Sequence, residues 1–155
     1  MMIWIIISLI ALGLDQLVKF MVISNIKFES SKEIINGFFF ITNIKNSGAA
    51  WSILQNGRLF FIIMTPFVLA VVCYYLYKSD NRFLKISLSL IIGGALGNFV
   101  DRLFRGSVID FLEFHFGTYY FPIFNIADSL VVIGTFMLAF YLLFIYKEKE
   151  KILND

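Results

Sequence analysis

The chain has 155 residues, of which 59% are hydrophobic and only 15% are charged, with a net charge of +2. An ordinary soluble domain carries roughly 45–50% apolar residues, because one core of this size buries no more. The composition therefore argues against a soluble, a disordered or a nucleic-acid-binding protein and predicts an integral membrane protein. A single Cys and a single His exclude a disulfide framework and a Cys/His zinc cluster.

Four apolar stretches are long enough to cross a bilayer, for which a helix needs about 20 residues. They run from Met1 to Ile23, from Leu59 to Tyr77, from Phe83 to Val100 and from Phe121 to Tyr146. The first lacks a basic leading region and contains charged residues, which favours a permanent span over a cleavable signal peptide. We therefore expect one membrane domain over residues 1–155, with four transmembrane helices and both termini on the same side.

The distribution of basic residues bears on orientation. Of the 13 Lys and Arg residues, Lys19 lies well inside a span, and the other twelve, with Lys85 near the start of the third span counted on the side of the termini, divide six and six between the two sides. The set on the side of the termini occupies a short loop and a short tail, where the positive-inside rule has most weight. This pattern predicts cytoplasmic termini.

The loop over residues 24–58 contains signals for structure of its own. Asn36-Gly37 is typical of a two-residue type I′ hairpin turn, and the β-branched and aromatic run Phe38 to Ile44 follows it. The segment Asn46 to Leu54 resembles a capped short helix with Trp51 at the membrane interface. The predicted class is thus an all-α membrane protein with a small extracytoplasmic β-sheet and a short interfacial helix.

Charged side chains occur inside the apolar stretches, where each costs about 2.5–3.5 kcal/mol near the bilayer centre. Asp15 and Lys19 are spaced i, i+4 on the first span, so they face the same way and can pair. Such a pair either supports a site or simply locks helices together, and both alternatives remain open.

The third span ends in a glycine-rich segment, Gly93 to Arg102. No Gly-Lys-Ser/Thr ending follows the glycines, so a phosphate loop is a poor interpretation, and Gly93 and Gly97 favour close helix packing. Asn98 and Arg102 share one helix face at the outer end. They suit either the positioning of a peptide or lipid head group, or an ordinary interfacial cap.

Asp110 and Asp128 lie in apolar, aromatic segments that we expect at the same, outer level of the membrane. Two carboxyls close together cannot both ionise, so one becomes an acid and the other a base. This is the arrangement of an aspartic protease. Two unrelated interfacial carboxylates are the alternative.

Five motifs occur in order along the chain, and together they resemble the lipoprotein signal peptidase (signal peptidase II) family over nearly its whole length. They are Asp15-Gln16-Leu17-Val18-Lys19, Asn46-Ser47-Gly48-Ala49-Ala50-Trp51, Gly93 through Arg102, Val108-Ile109-Asp110-Phe111 and Tyr120 through Ser129. Trp51 departs from the family pattern, in which Phe is more usual.

The resemblance implies an aspartic endopeptidase of the bacterial inner membrane that cuts prolipoproteins before a diacylglyceryl-modified Cys, with its active site near the outer leaflet. It implies the catalytic residues Asp110 and Asp128. Asp101 also lies in a motif, and we assign it to structural pairing rather than to catalysis. The residues implied to support the site and hold substrate are Asp15, Lys19, Asn46, Asn98, Arg102 and Asn125.

The same resemblance implies no cofactor or metal and no nucleic-acid partner. It implies contact with membrane lipids, and we expect a monomer. The competing class is a non-catalytic membrane protein whose polar residues form an ion path or lock helices. A metal-dependent membrane hydrolase is a third interpretation.

Overall fold

A computed structural model describes residues 1–48 and 54–146 of the chain. It contains four helices, each long and apolar enough to cross a membrane, as predicted. They are α1 (Met2–Asn25), α2 (Arg58–Lys78), α3 (Arg82–Phe104) and α4 (Ile126–Phe140), and α4 continues as a π-helical segment, Tyr141–Tyr146.

Helix α3 is the centre of the bundle, because it packs against each of the other three helices. Glycines make these approaches close. A Cβ at Gly93 would lie 2.5 Å from the Ala11 Cβ of α1, and one at Gly97 would lie 2.5 Å from Asp15 Oδ2. These contacts confirm the packing role predicted for Gly93 and Gly97.

A four-stranded antiparallel sheet lies at the end of the bundle where α1 and α3 end. Its strands, in spatial order, are β1 (Ser31–Ile35), β2 (Phe39–Asn46), β3 (Val108–Phe116) and β4 (Tyr119–Tyr120). The first two form the predicted hairpin. The other two come from the loop between α3 and α4 and were not predicted, so the chain is a helical bundle with a sheet rather than an all-α protein.

The hairpin turn differs from its prediction. Ile35 pairs with Phe39, so the loop has three residues rather than two. A type I′ turn needs positive φ at both central residues. Here only Gly37 has a positive φ, +65°, within this loop, and the type I′ prediction was wrong.

The fourth span begins at Ile126, not at Phe121 as predicted. Phe124 instead bridges to Leu112 of β3, which keeps the preceding residues extended. Asn125 then caps α4 in a capping box with Asp128. The third span also extends beyond its predicted end, to Phe104.

The predicted interfacial helix falls largely on residues 49–53, which lie outside the described residues. Of that segment, residues 46–48 and 54 are described: Asn46 ends β2, and a turn begins at Leu54.

Candidate active site

Asp110 and Asp128 come together at the junction of the sheet and the bundle. Asp110 lies on β3 and is 3% exposed, and Asp128 lies in the first turn of α4. Asn125 links them: its Nδ2 donates to Asp110 Oδ1 at 2.6 Å, and its backbone N–H donates to Asp128 Oδ2 at 3.3 Å. The two carboxyls therefore belong to one hydrogen-bonded cluster, as the sequence predicted they could.

A second amide supports each carboxyl. Asn46 Nδ2 donates to Asp110 Oδ2 at 2.9 Å, and Asn98 Nδ2 donates to Asp128 Oδ1 at 2.7 Å. The amide oxygens have other partners, because Asn46 Oδ1 accepts from the Gly48 N–H and Asn98 Oδ1 accepts from Lys19 Nζ. These partners fix which end of each amide faces the carboxyl.

The protonation of Asp110 follows from its surroundings. Burial disfavours its charged form, and the nearby carboxylate of Asp128 repels it, so the pKa of Asp110 rises from 3.8 to about 6. Hydrogen bonds from Asn46 and Asn125 and the charge of Lys19 oppose this rise. A carboxyl with this pKa exchanges its proton near neutral pH, as a general acid or base must.

The raised pKa predicts how stability depends on pH. Native Asp110 binds its proton more tightly than the unfolded chain does, so this stabilisation is complete below about pH 4 and is lost as pH rises through about 6. A shift of this size corresponds to about 3 kcal/mol. We expect Asp110→Asn to gain stability relative to the unmodified protein between pH 4 and 7.

Thermal unfolding of both proteins in one detergent across this pH range measures the effect. The amide turns an N–H towards Asn46 or Asn125, and the resulting loss is independent of pH. The test is therefore how the difference in stability between the two proteins changes with pH. A difference that stays constant from pH 4 to 7 would contradict the raised pKa of Asp110.

The two carboxyls face a cavity of about 690 Å³ bounded by α2, α3 and α4. Its polar end and its apolar walls come from different elements. The polar lining consists of Asn46, Thr65, Asn98, Arg102, Asp110, Asp128 and Ser129, and the apolar lining includes Phe61, Ala95, Phe121, Phe124, Val131 and Val132. A largely apolar cavity with a few convergent polar groups suits an elongated amphipathic ligand.

Arg102 lies at the polar end of this cavity. Its Nη2 donates to the Gly48 carbonyl at 2.8 Å, and its guanidinium stacks over the Phe61 ring, 4.4 Å from the ring centre. Its buried Nε has no hydrogen-bond partner among the residues that the structure describes. An unpaired buried donor beside a cavity is available to a ligand oxygen.

Helix α2 contributes to the cavity through residues that the sequence did not single out. Phe61 and Thr65 line it, and Arg58 holds the start of α2 by donating to the carbonyls of Arg102 and Leu103. Hydropathy reveals α2 only as an apolar span. No local pattern marks which of its faces meets the cavity.

Asp15 and Lys19 form the predicted ion pair, and Asp101 joins it. Lys19 Nζ lies 2.9 Å from Asp15 Oδ2 and 2.8 Å from Asp101 Oδ2, and all three side chains are 0% exposed. Asp101 also pairs with Arg105, which is partly exposed. The four charges sum to zero, which makes their burial tolerable.

This neutrality predicts non-additive mutations. Asp15→Leu or Lys19→Met alone leaves a net charge in the cluster, and each should cost about 3–5 kcal/mol of stability. The double variant Asp15→Leu/Lys19→Met removes one charge of each sign and leaves Asp101 paired with Arg105. We expect its loss to fall short of the sum of the single losses by about 1–3 kcal/mol. Strict additivity in a double-mutant cycle of unfolding free energies would count against a shared cluster.

Comparison with known proteins identifies related sequences. The chain matches the profile of the family described as Signal peptidase (SPase) II over residues 7–144. It is 45% identical over 144 residues to "Lipoprotein signal peptidase" of Bacillus pumilus (strain SAFR-032), covering 92% of this chain and 93% of that protein. It is 40% identical over 147 residues to the protein of the same name from Listeria monocytogenes serotype 4a (strain HCC23), covering 94% and 95%.

Two solved structures share the fold. One, described as a bacterial membrane enzyme solved in meso at 2.3 Å resolution, has a TM-score of 0.86 and 39% identity, covering 92% of this chain and 88% of that one. The other, a bacterial membrane enzyme solved in meso at 1.9 Å, has a TM-score of 0.83 and 38% identity, covering 93% and 94%. With the profile and these relatives spanning most of its length, the chain belongs to the signal peptidase II family of membrane proteases.

Proposed function

We propose that this protein is an aspartic endopeptidase that removes signal peptides from prolipoproteins, cutting before a diacylglyceryl-modified Cys. One observation carries the aspartic mechanism. Two buried carboxyls, Asp110 and Asp128, share one hydrogen-bonded cluster at the polar end of an apolar cavity. Family membership supports the substrate class.

The two carboxyls divide the chemistry between them. The ionised one takes a proton from a water molecule as that water attacks the scissile carbonyl carbon. The protonated one donates its proton to the carbonyl oxygen. As the C–N bond then breaks, the first carboxyl passes the proton that it took from water to the leaving amine, and the second recovers a proton from a hydroxyl of the tetrahedral intermediate. Each such proton transfer contributes about 10²–10⁴-fold to the rate. The reaction needs no covalent enzyme intermediate, metal or organic cofactor.

The remaining polar residues orient the reacting groups. Asn46, Asn98 and Asn125 donate to the two carboxyls and so fix the directions of their free lone pairs. Arg102 lines the same cavity, and its guanidinium, whose Nε has no partner among the described residues, is available to a substrate carbonyl. The apolar walls accept hydrocarbon, which is where the lipid or the signal peptide would lie.

The protein is a multi-pass protein of the bacterial inner membrane by its family and its four helices. We place both termini in the cytoplasm and the Asp110–Asp128 pair near the outer leaflet, as a monomer acting on membrane-borne substrate. The positive-inside bias of the short loop supports this orientation.

An ion path is less well supported than a peptidase. A path requires polar groups along the depth of the membrane. Within residues 1–48 and 54–146, the buried charged side chains gather at one end of the bundle: Asp15, Lys19, Asp101 and Asp110. The buried hydroxyls deeper in the bundle, on Ser8 and Ser87, donate to backbone carbonyls.

One experiment tests the proposal directly. The purified protein is incubated with a diacylglyceryl-modified prolipoprotein, and the products are sequenced by mass spectrometry. We expect one cut, before the modified Cys, that persists in the presence of a strong chelator. An absence of cleavage, or its loss on chelation, would refute an aspartic signal peptidase.

A further inference from the structure

Two backbone amides next to the Asp110–Asp128 pair are held by carboxylates from other helices. The N–H of Ile109, one residue before Asp110, donates to Asp101 Oδ2 at 3.1 Å. The N–H of Ala127, one residue before Asp128, donates to Asp15 Oδ1 at 2.9 Å. Asp110 and Asp128 are thus anchored in the same way, each through the backbone N–H of the residue before it.

Lys19 connects the two anchors. Its Nζ contacts Asp15 Oδ2 and Asp101 Oδ2, so a continuous chain of contacts runs from the Ile109 amide through Asp101, Lys19 and Asp15 to the Ala127 amide. Hydrogen bonds to a charged acceptor are shorter and stronger than neutral ones. Burial of all three side chains keeps water from competing for them.

We propose that Asp15, Lys19 and Asp101 form a clamp that sets the separation of Asp110 and Asp128, and that Asp15 and Asp101 are therefore positioning residues for the reaction. This inference rests on the proposed function. Asp110 lies on β3 and Asp128 on α4, whereas the clamp residues lie on α1 and α3. The reacting groups are thus located relative to α1 and α3, which approach each other closely at Gly97.

A clamp next to the reacting residues acts on rate more than on substrate affinity. Only one residue separates each held amide from its carboxyl, so a displaced amide displaces the carboxyl with it. A misplacement of about 1 Å can lower a rate about 10²-fold. Neither Asp15 nor Asp101 lines the cavity, so KM should change little.

Matched substitutions separate the held amide from the lost charge. Asp101→Leu and Asp101→Asn have similar shape and both remove the charge, but only Asn keeps an oxygen that accepts from Ile109. In the same way, Asp15→Asn keeps an oxygen that accepts from the Ala127 N–H, and Asp15→Leu does not. With a diacylglyceryl-modified substrate, we expect each Leu variant to lose about 10²-fold in kcat with KM within about threefold. Each Asn variant should keep about tenfold more kcat than its Leu counterpart.

Arg105→Gln is the control for the charge network. Arg105 contacts Asp101 on the oxygen that does not face Ile109, and it is partly exposed. Its loss should change kcat by less than about fivefold. All rates are measured well below the unfolding temperature of each variant, so that a fall in kcat does not reflect unfolded protein.

If Asp15→Leu and Asp101→Leu do not fold, a second pair of variants tests the clamp. A Cβ at Gly97 would meet Asp15 Oδ2 and Ala127 Cβ, the two residues joined by one of the anchors, whereas one at Gly93 would meet Ala11 and Ser8, one turn further from the pair. Both substitutions to Ala strain the α1–α3 interface. Only Gly97→Ala pushes on the clamp, so it should lower kcat at least about tenfold more than Gly93→Ala, in line with a sub-ångström displacement.

The outcomes distinguish the clamp from the proposed function. If the unmodified protein does not cleave, the proposed function fails. Suppose instead that the unmodified protein cleaves and Asp110→Asn does not. Equal kcat for the Leu and Asn variants of Asp101, and likewise of Asp15, would then refute the clamp and leave the peptidase proposal standing. Equal kcat values in the two glycine variants would refute it in the same way.

Discussion

Replacement of Asp110 or Asp128 by Asn is expected to abolish cleavage, with kcat lowered at least about 10³–10⁴-fold for either variant. The amide keeps the shape of the carboxyl. It cannot take a proton from water or share one with its partner, so both the base and the acid function are lost together. Initial rates with a diacylglyceryl-modified prolipoprotein measure the effect.

The local hydrogen bonds make this a demanding test. Asp110 accepts from Asn46 and Asn125, so an Asn at this position turns one N–H towards another N–H. The variants therefore need a check of folding by thermal unfolding. Asp80→Asn, an exposed residue at the other end of the bundle, is a matched control and should cleave normally. Substantial turnover by purified Asp110→Asn or Asp128→Asn would refute the assignment of the catalytic pair.

The helices of this protein could be predicted because a bilayer imposes one simple requirement on them. About 20 apolar residues are needed for each span, and a stretch of that length is visible in the hydropathy of the sequence. The ends were less predictable. The fourth span starts at Ile126 because Asn125 caps the helix and Phe124 bridges to β3, and this bridge depends on a strand that hydropathy does not reveal.

The sheet was only half predicted, for a physical reason. Asn36-Gly37 is a local turn signal, and it located the first hairpin even though the turn type was wrong. Strand β3 carries Asp110, Glu113 and His115 among its apolar residues. It therefore resembles an irregular loop until pairing with β2 supplies hydrogen bonds to its backbone.

The site followed from unusual residues in a costly environment. Charges inside an apolar chain stand out, so Asp15, Lys19, Asp110 and Asp128 could be selected without a structure. The link from Asp101 to the Ile109 amide could not be selected in the same way. It depends on how β3 packs against the end of α3, which is a property of the folded chain.

The second large effect concerns the substrate. We expect an unmodified prolipoprotein, with a bare Cys thiol, to be cut at least about 10²-fold less efficiently in kcat/KM than the diacylglyceryl form. Hydrocarbon surrounds the protein whether or not substrate is bound, so burial of the acyl chains alone gives little discrimination. The preference must come from the shape of the cavity and from polar contacts at its end.

The cavity has both features. Apolar walls from α2, α3 and α4 lead to a polar end formed by Asn98, Arg102 and the two carboxyls. In the proposed reaction, a lipid held against these walls would fix the modified Cys and restrain the peptide bond before it next to Asp110 and Asp128. Binding energy from the remote lipid thereby lowers the barrier to cleavage instead of only tightening binding.

Ala95→Leu tests this explanation within the same protein. Ala95 lines the cavity on the face of α3 that carries Asn98 and Arg102, so a larger side chain there narrows the cavity and leaves the reacting groups in place. We expect it to lower kcat/KM for the diacylglyceryl substrate while the slow cleavage of the unmodified one changes little, which shrinks the preference. Equal kcat/KM for the two substrates in one detergent, measured on the unmodified enzyme, would show instead that the lipid contributes nothing to orienting the scissile bond.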